Sequence, residues 1–374
     1  MNHRAAMRLA IEHAERVKGA TYPNPPVGAV ILDRDGEVAG VGGTEPAGGP
    51  HAEVVALRRA GKLAAGGTAV VTLEPCNHHG RTPPCVDALL AAGVSAVVYA
   101  VADPNRIAAG GAARLADAGV EVIAGVLAEA VGGGTLREWL HKQRTGLPHV
   151  TWKYGASVDG RSAAADGTSQ WISSEAARAD VHRLRAFAGA VMTSSATVLD
   201  DDPQLTVRLE GEWRQPDRIV LDTRHRVPAT AKVWTEGARR FLLTTDAGVA
   251  PPVPGVEVLT VAADAAGHVD LGAALQALGQ AQVNEVLVEC GPHMAGAFLR
   301  ARLSDEIIVY LAPALLGHDA QPLAHLPGLV RLDQRVLLKP KDVRLIGDDI
   351  RVTATLVDSL CAPCEAAKTT TEKP

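Results

Sequence analysis

The chain has 374 residues, 47% of them hydrophobic and 21% charged, the composition of a soluble globular protein long enough for two domains with separate cores. A net charge of −5 and a pI near 6.2 argue against a duplex-binding protein, and 3% aromatic content argues against stacking surfaces for single strands. A local basic pocket for one small phosphorylated ligand is compatible with both.

Between His3 and Lys18, Met7, Ala10, Ile11, Ala14 and Val17 recur at helical spacing. This stretch is charged and lacks the apolar core of a signal peptide, and no apolar run approaches the roughly 20 residues needed to cross a bilayer. Five cysteines without framework spacing fit a reducing compartment, so the expected location is cytoplasmic, with no membrane or nucleic-acid partner. Residues 27–32 form a short apolar run, which Asp33-Arg34-Asp35-Gly36 turns into a second strand over 37–41. Pro50 suits the first position of a helix, which would place His51 and Glu53 in its first turn.

A buried strand is predicted at 68–73, ending at Glu74-Pro75-Cys76, and Pro84 opens the next helix with Cys85 just inside it. A strand at 94–101, a helix at 112–118, a strand at 120–124 and a helix at 136–144 follow. The domain boundary is placed near residue 146, giving domains 1–146 and 147–360 and a polar, disordered tail at 361–374. The second domain repeats the alternation. Strands are expected at 149–154, 190–193, 218–222, 240–245, 256–261, 285–289 and 306–311, and helices at 174–187, 271–278 and 294–303. Strands alternating with helices imply layered α/β sheets with crossover connections.

His51-Ala52-Glu53 and the run Pro75-Cys76 through Cys85 carry the chemistry. One imidazole and two thiolates can hold zinc and leave its fourth position for water, the layout of a catalytic site; structural zinc sites have four protein ligands. Glu53 can move protons without binding the metal, as in the zinc deaminases, whose H-x-E element precedes a P-C…C element. Here eight residues separate Cys76 and Cys85, where the short form of that signature has two. His78 and His79 lie inside that loop and are read as lining the substrate mouth. A thiolate at a helix start, as at Cys85, is favoured by the partial positive charge there.

Residues Tyr22 to Val30, Gly49 to Val54 and Leu73 to Cys85 resemble the deaminase half of the bifunctional deaminase–reductases of riboflavin biosynthesis. The resemblance implies a cytidine-deaminase-like three-layer α/β/α domain acting on a small phosphorylated pyrimidine, a diaminopyrimidine ribotide. It also implies that Asn24, Arg81 and Asn105 contact that substrate, Arg81 and Asn105 near its ribose phosphate. Read alone, Arg81 suits a phosphate and Asp103-Pro104-Asn105 is a turn. Thr44 stands where many members have histidine, and Arg106 where proline is common.

In the second half, the run Glu285 to Pro292 reads as a strand entering a glycine turn and a helix of small residues, either a phosphate-binding start or ordinary strand–helix packing. Residues Lys153 to Arg161, Ser169 to Arg178, Ala196 to Pro203, Glu289 to Leu299 and Leu311 to Pro313 resemble the reductase half of the same family. That implies a dihydrofolate-reductase-like α/β domain using NADPH. By the same resemblance Gly155, Trp171, Thr197, Asp201, Thr223, Gly291, Pro292, His293, Met294, Ala295, Gly296 and Ala297 meet the cofactor. Ser169, Arg185, Leu205, Arg208 and Glu289 meet the substrate, with Arg185 and Arg208 suited to a 5-phosphate and otherwise plain surface charges. Lys153 is either a substrate-side charge or a strand-end lysine. Cys361 and Cys364 are taken as incidental, and family members commonly self-associate, so a homo-oligomer is expected.

Overall fold

Strands β1 (Gly28–Leu32), β2 (Val38–Gly43), β3 (Thr68–Leu73), β4 (Ala96–Val101) and β5 (Glu121–Ala124) form one sheet in the order β2-β1-β3-β4-β5. They belong to the first of two compact units, Met1–Leu147, the second running from Pro148 onward; the computed structural model describes residues 1–80, 82–105 and 107–357. β1 is antiparallel to β2 and β3, whereas β3, β4 and β5 run parallel. Every residue of β1 is buried and β3 is nearly so, as expected of strands covered on both faces.

The covers are helices α1 (His3–Val17) and α2 (Ala52–Ala60) on opposite faces. Adjacent glycines show the layering: a Cβ on Gly43 would come within 2.7 Å of Val17 in α1, and one on Gly42 within 2.5 Å of the Ala52 carbonyl oxygen in α2. Asn2 caps α1 by accepting the Ala5 N–H, and the helix buries Ala6, Met7, Ala10 and Ala14. α3 (Cys85–Ala92), α4 (Gly111–Asp117), α5 (Ala128–Gly132) and α6 (Arg137–Thr145) complete the unit. β2 runs two residues beyond the predicted end because Gly42 and Gly43 pair with Ala29 and Gly28; their lack of side chains permits close helix approach instead of ending the strand.

The second unit contains β6 (His149–Ser157), β7 (Arg161–Ala163), α7 (Glu175–Phe187), β8 (Ala190–Ser194), α8 (Ser195–Asp201), β9 (Asp217–Leu221), β10 (Arg240–Thr244) and β11 (Val256–Thr260). α9 (Leu271–Gln280), β12 (Glu285–Val288), α10 (Pro292–Arg300), β13 (Glu306–Ala312), β14 (Gln321–Pro322), β15 (Leu338–Ile346) and β16 (Asp349–Leu356) follow. Among the described residues its main sheet has nine strands, ordered β11-β10-β9-β8-β12-β6-β13-β16-β15. It is parallel from β11 to β13, with β16 and β15 added antiparallel at one edge.

Sequence reasoning assigned neither α8 nor the β15–β16 hairpin. β15 is exposed along most of its length, and an irregularity between Pro340 and Asp342 breaks its alternation into two short pieces; its clearer signal is the Gly347-Asp348 turn, with Gly347 at φ +60. No described helix is long and apolar enough to cross a membrane.

Candidate active sites

β3 delivers the first site. Beyond its last residue, the Glu74 carboxylate accepts N–H groups from Asp103 at 3.1 Å and Ala112 at 3.0 Å, tying the ends of neighbouring segments around Pro75-Cys76. Gly111, opening α4, lies so close that a Cβ there would sit 1.8 Å from the Pro75 carbonyl oxygen. His51 is the N-cap of α2, with extended backbone, so the helix starts at Ala52, two residues later than expected; Pro50 stays outside because its carbonyl is held by the Glu45 N–H at 3.0 Å. Cys85 itself opens α3, one residue later than expected, because Pro84 is the N-cap.

The three side chains converge. His51 Nδ1 lies 3.5 Å from Cys76 Sγ and 3.3 Å from Cys85 Sγ, and all three ligand atoms fall within 4.8 Å of one another. A tetrahedral zinc with Zn–S about 2.3 Å and Zn–N about 2.0 Å holds nitrogen and sulfur roughly 3.5 Å apart, so these donors already have the required spacing. Neither His78 nor His79 belongs to this group. A hydrogen bond from Cys85, and then His51, draws the Cys76 thiol down against its burial, while that same bond and burial drive Cys85 up. Thr82 Oγ1 stands 3.4 Å from His51 Nε2, where it fixes the ring's other nitrogen. Sequence reasoning passed over Thr82, whose only signal is its place in the loop between the cysteines.

Glu53 is buried in the first turn of α2, and burial, followed by the nearby Cys76 charge, pushes its carboxyl pKa up. A carboxyl so placed takes up a proton more readily than one in water.

The start of α2 rests directly on β2. A Cβ on Gly42 would meet the Ala52 oxygen at 2.5 Å and the Ala56 nitrogen at 2.7 Å, and neither backbone atom can swing aside. Gly42→Ala is therefore expected to lift the segment carrying His51, destabilising the unit by about 1–3 kcal/mol and lowering zinc content on metal analysis. Full zinc content at unchanged stability would show that the helix start yields freely.

Asn24 is half-buried in a turn closed by its own N–H to the Thr21 carbonyl at 2.9 Å. Thr44 is buried, and its hydroxyl faces the Val27 backbone, 3.3 Å from the nitrogen and 3.4 Å from the oxygen. Asp103-Pro104-Asn105 is the turn its sequence suggests: Asp103 Oδ1 accepts the Asn105 N–H at 2.8 Å and Asn105 Oδ1 the Ile107 N–H at 3.1 Å. Burial raises the Asp103 carboxyl to about 6. Arg81, Arg106, Cys361 and Cys364 lie outside the described residues.

The second site lies where β8, β9 and β12 end. Ser194 caps α8 through the Thr197 N–H, and Thr197 Oγ1 accepts the Gly291 N–H at 3.2 Å, joining the starts of α8 and α10. Beside them is a cavity of about 810 Å³, with Ser194, Ser195, Thr223, His293, Met294 and Ala297 on its walls. Crevices at the carboxyl ends of parallel strands, next to helix starts, are where dinucleotides bind. Ala295 is fully buried and Gly296 packs against the His325 carbonyl; neither lines this cavity. Gly155 in β6, the exposed Trp171 under the Arg178 guanidinium, and Asp201 at the end of α8 lie off its walls as well.

Two of the residues expected at the reductase substrate, Arg185 and Glu289, form a buried ion cluster with Lys153. The Glu289 carboxylate receives Arg185 Nε at 2.6 Å, Arg185 Nη2 at 3.1 Å and Lys153 Nζ at 2.9 Å. Burial alone would raise the Glu289 pKa, but Arg185 and Lys153 outweigh it and hold it well below the usual carboxylate range. Arg185 also reaches the Thr206 carbonyl, next to the buried Leu205, so it is no solvated surface charge. Arg208 is exposed, its backbone N–H donated to His182 Nδ1 at 3.2 Å. Burial, then Arg185 and Arg208, push His182 down to about 4, which keeps it neutral at pH 7. Sequence reasoning missed His182, which lies one turn before Arg185 on α7. Ser169 is half-buried in the loop before α7.

Fold and cage together define a class: a zinc-binding deaminase domain followed by a reductase domain on one chain. The family model described as "Cytidine and deoxycytidylate deaminase zinc-binding region" matches residues 1–101, and "RibD C-terminal domain" matches 148–352. The chain belongs to the riboflavin biosynthesis protein RibD family, whose members join a deaminase to a reductase. It is 58% identical over 315 residues to the Mycobacterium tuberculosis protein, covering 83% of this chain and 85% of that one. To the Escherichia coli protein it is 46% identical over 360 residues, covering 92% and 96%. The solved structure of Acinetobacter baumannii RibD superposes with TM-score 0.87 at 40% identity, covering 95% of this chain and 99% of that one. A Thermotoga maritima structure described as a diaminohydroxyphosphoribosylaminopyrimidine deaminase/5-amino-6-(5-phosphoribosylamino)uracil reductase superposes with TM-score 0.85 at 32% identity, with coverage of 95% and 99%. The chain is thus a hydrolase and an oxidoreductase of riboflavin biosynthesis; its first domain is of a zinc-binding family, and its second implies a nicotinamide cofactor.

Proposed function

We propose that the chain hydrolyses the exocyclic 2-amino group of 2,5-diamino-6-(5-phosphoribosylamino)pyrimidin-4-one and then reduces the ribosyl chain to ribityl with NADPH. The product is 5-amino-6-(5-phosphoribitylamino)uracil. The observation that carries the first step is the placing of His51 Nδ1 at 3.5 and 3.3 Å from the two sulfurs beside a buried glutamate. Zinc held by His51, Cys76 and Cys85 supplies Lewis acidity that brings the pKa of a water toward 7. Thr82 keeps the His51 ring in the orientation that offers Nδ1 to the ion. Glu53 takes one proton from the attacking water and gives it to the pyrimidine ring nitrogen, then takes the remaining hydroxyl proton of the tetrahedral adduct and gives it to the amino group, which departs as ammonia. Asn24 and Asn105 orient the ring and ribose, and Arg81 takes the phosphate.

In the second domain NADPH supplies a hydride to C1 of the opened sugar. Gly155, Trp171, Thr197, Asp201, Thr223 and the segment Gly291–Ala297 hold the cofactor, while Ser169, Arg185, Leu205, Arg208 and Glu289 hold the substrate. Lys153 and Arg185 against the single Glu289 carboxylate leave an excess positive charge, which with Arg208 favours a phosphate. The chain works in the cytoplasm, where the cage thiols stay reduced. It self-associates, a reading supported by exposed Leu338, Val343 and Leu345 on edge strand β15.

Supplying the diaminopyrimidine ribotide and following ammonia and NADPH together tests both steps. Equal release and consumption are expected. Ammonia without NADPH oxidation would remove the second step, and no ammonia from zinc-loaded protein would remove the first.

A further inference from the structure

We infer that Arg224 and Arg226, in the loop leaving β9, hold the 2′-phosphate of NADPH and make the chain select it over NADH; this rests on the reductase reading above. At such a strand end an acidic side chain binds the ribose hydroxyls of NAD, whereas an arginine accommodates the extra phosphate of NADP. The acid at this position is Asp222, and it is turned away. It is 1% exposed and off the cavity wall, its Oδ2 accepts the Val227 N–H at 2.8 Å, and its Oδ1 is buried. That internal bond closes the loop over 222–227.

What the loop presents to the cavity is Thr223, Arg224 and Arg226. Both arginines are exposed. Arg226 Nη2 donates to Ser195 Oγ at 2.9 Å, which holds one guanidinium against the first turn of α8. Thr223 Oγ1 accepts the Val269 N–H at 3.1 Å, which fixes the other side of the loop. Arg300 of α10 adds a further positive charge to the same cavity.

The acids on the walls are already engaged. Asp264 Oδ1 accepts the Ala266 N–H at 2.9 Å and the His268 N–H at 2.8 Å, and Asp270 Oδ1 caps α9 through the Ala273 N–H at 2.7 Å. The cavity end beside β9 is therefore built for an anion. A phosphate dianion takes paired guanidinium bonds there that the 2′-hydroxyl of NADH cannot match.

Direct titration of the full chain with NADPH and with NADH, by nicotinamide fluorescence or calorimetry, tests this without turnover. The wild type is expected to bind NADPH the more tightly. In Arg224→Ala/Arg226→Ala, NADPH affinity should fall roughly 10- to 100-fold, the worth of hydrogen bonds to a charged group, with NADH affinity within about 2-fold. The Arg224→Lys/Arg226→Lys protein should recover part of the preference, and 2′,5′-ADP should displace NADPH from the wild type better than 5′-ADP does. Parallel loss of NADH and NADPH affinity, or an unchanged NADPH affinity, would overturn the clamp while leaving the reductase reading intact. A wild type that binds neither dinucleotide would overturn both.

Discussion

Glu53→Gln is expected to cut ammonia release about 10²- to 10⁴-fold, the usual worth of a positioned general acid–base group, while zinc content stays at the wild-type level. Glutamine has the size and polarity to fill the same buried place in the first turn of α2, and His51, Cys76 and Cys85 keep their convergence. What disappears is a side chain able to accept a proton and give it up again. Burial already lifts the Glu53 pKa, which makes its carboxylate a readier proton acceptor than one in water. Metal analysis alongside the ammonia assay separates this from collapse of the cage. Undiminished ammonia release from a zinc-loaded variant would take the proton-moving role away from Glu53.

Glu289→Gln is expected to cost about 3–5 kcal/mol of stability in the second unit, because it leaves Lys153 and Arg185 as buried cations with no counter-charge. The wild type carries a matching pH signature. The folded pKa of Glu289 is depressed, so its contribution is fully present above the unfolded value, about 4.3, and is lost as pH falls below that toward the folded value. Guanidinium unfolding at a series of pH values from 7 to 3 should show the wild type losing its advantage over the variant in the acid range. Coincident stability curves across that range would mean that the cluster contributes nothing to folding.

Much of the first site was legible because its residues are close in sequence and chemically unlike their neighbours. His51, Glu53, Cys76 and Cys85 fall at helix starts beside one strand end, and both helix starts carry a nearby proline. The precise start of α2 was not legible, since a proline before an N-cap and a proline after one look alike. The Arg185–Glu289 pair was not legible as a pair: 104 positions separate the partners, and only the sheet order brings β12 against the region where α7 ends. Arg224 and Arg226 belong to no motif, and their importance depends on Asp222 facing inward, which pattern alone cannot show. The β15–β16 hairpin was overlooked for a third reason: Ile350, Val352, Ala354 and Leu356 alternate legibly in β16, but its partner β15 is mostly exposed and its pattern is interrupted at Pro340.

The cage is also seated without cushions. At Gly42 under α2 and at Gly111 behind Pro75, main chain abuts main chain, with no flexible tip between to absorb an error. Redesign for a different heterocycle therefore has an uneven freedom. Residues around the mouth can be exchanged for shape or charge, but these two seams set where the donor atoms stand, and a single added methyl there would push the segments that carry His51 and Cys76 out of place from outside the pocket.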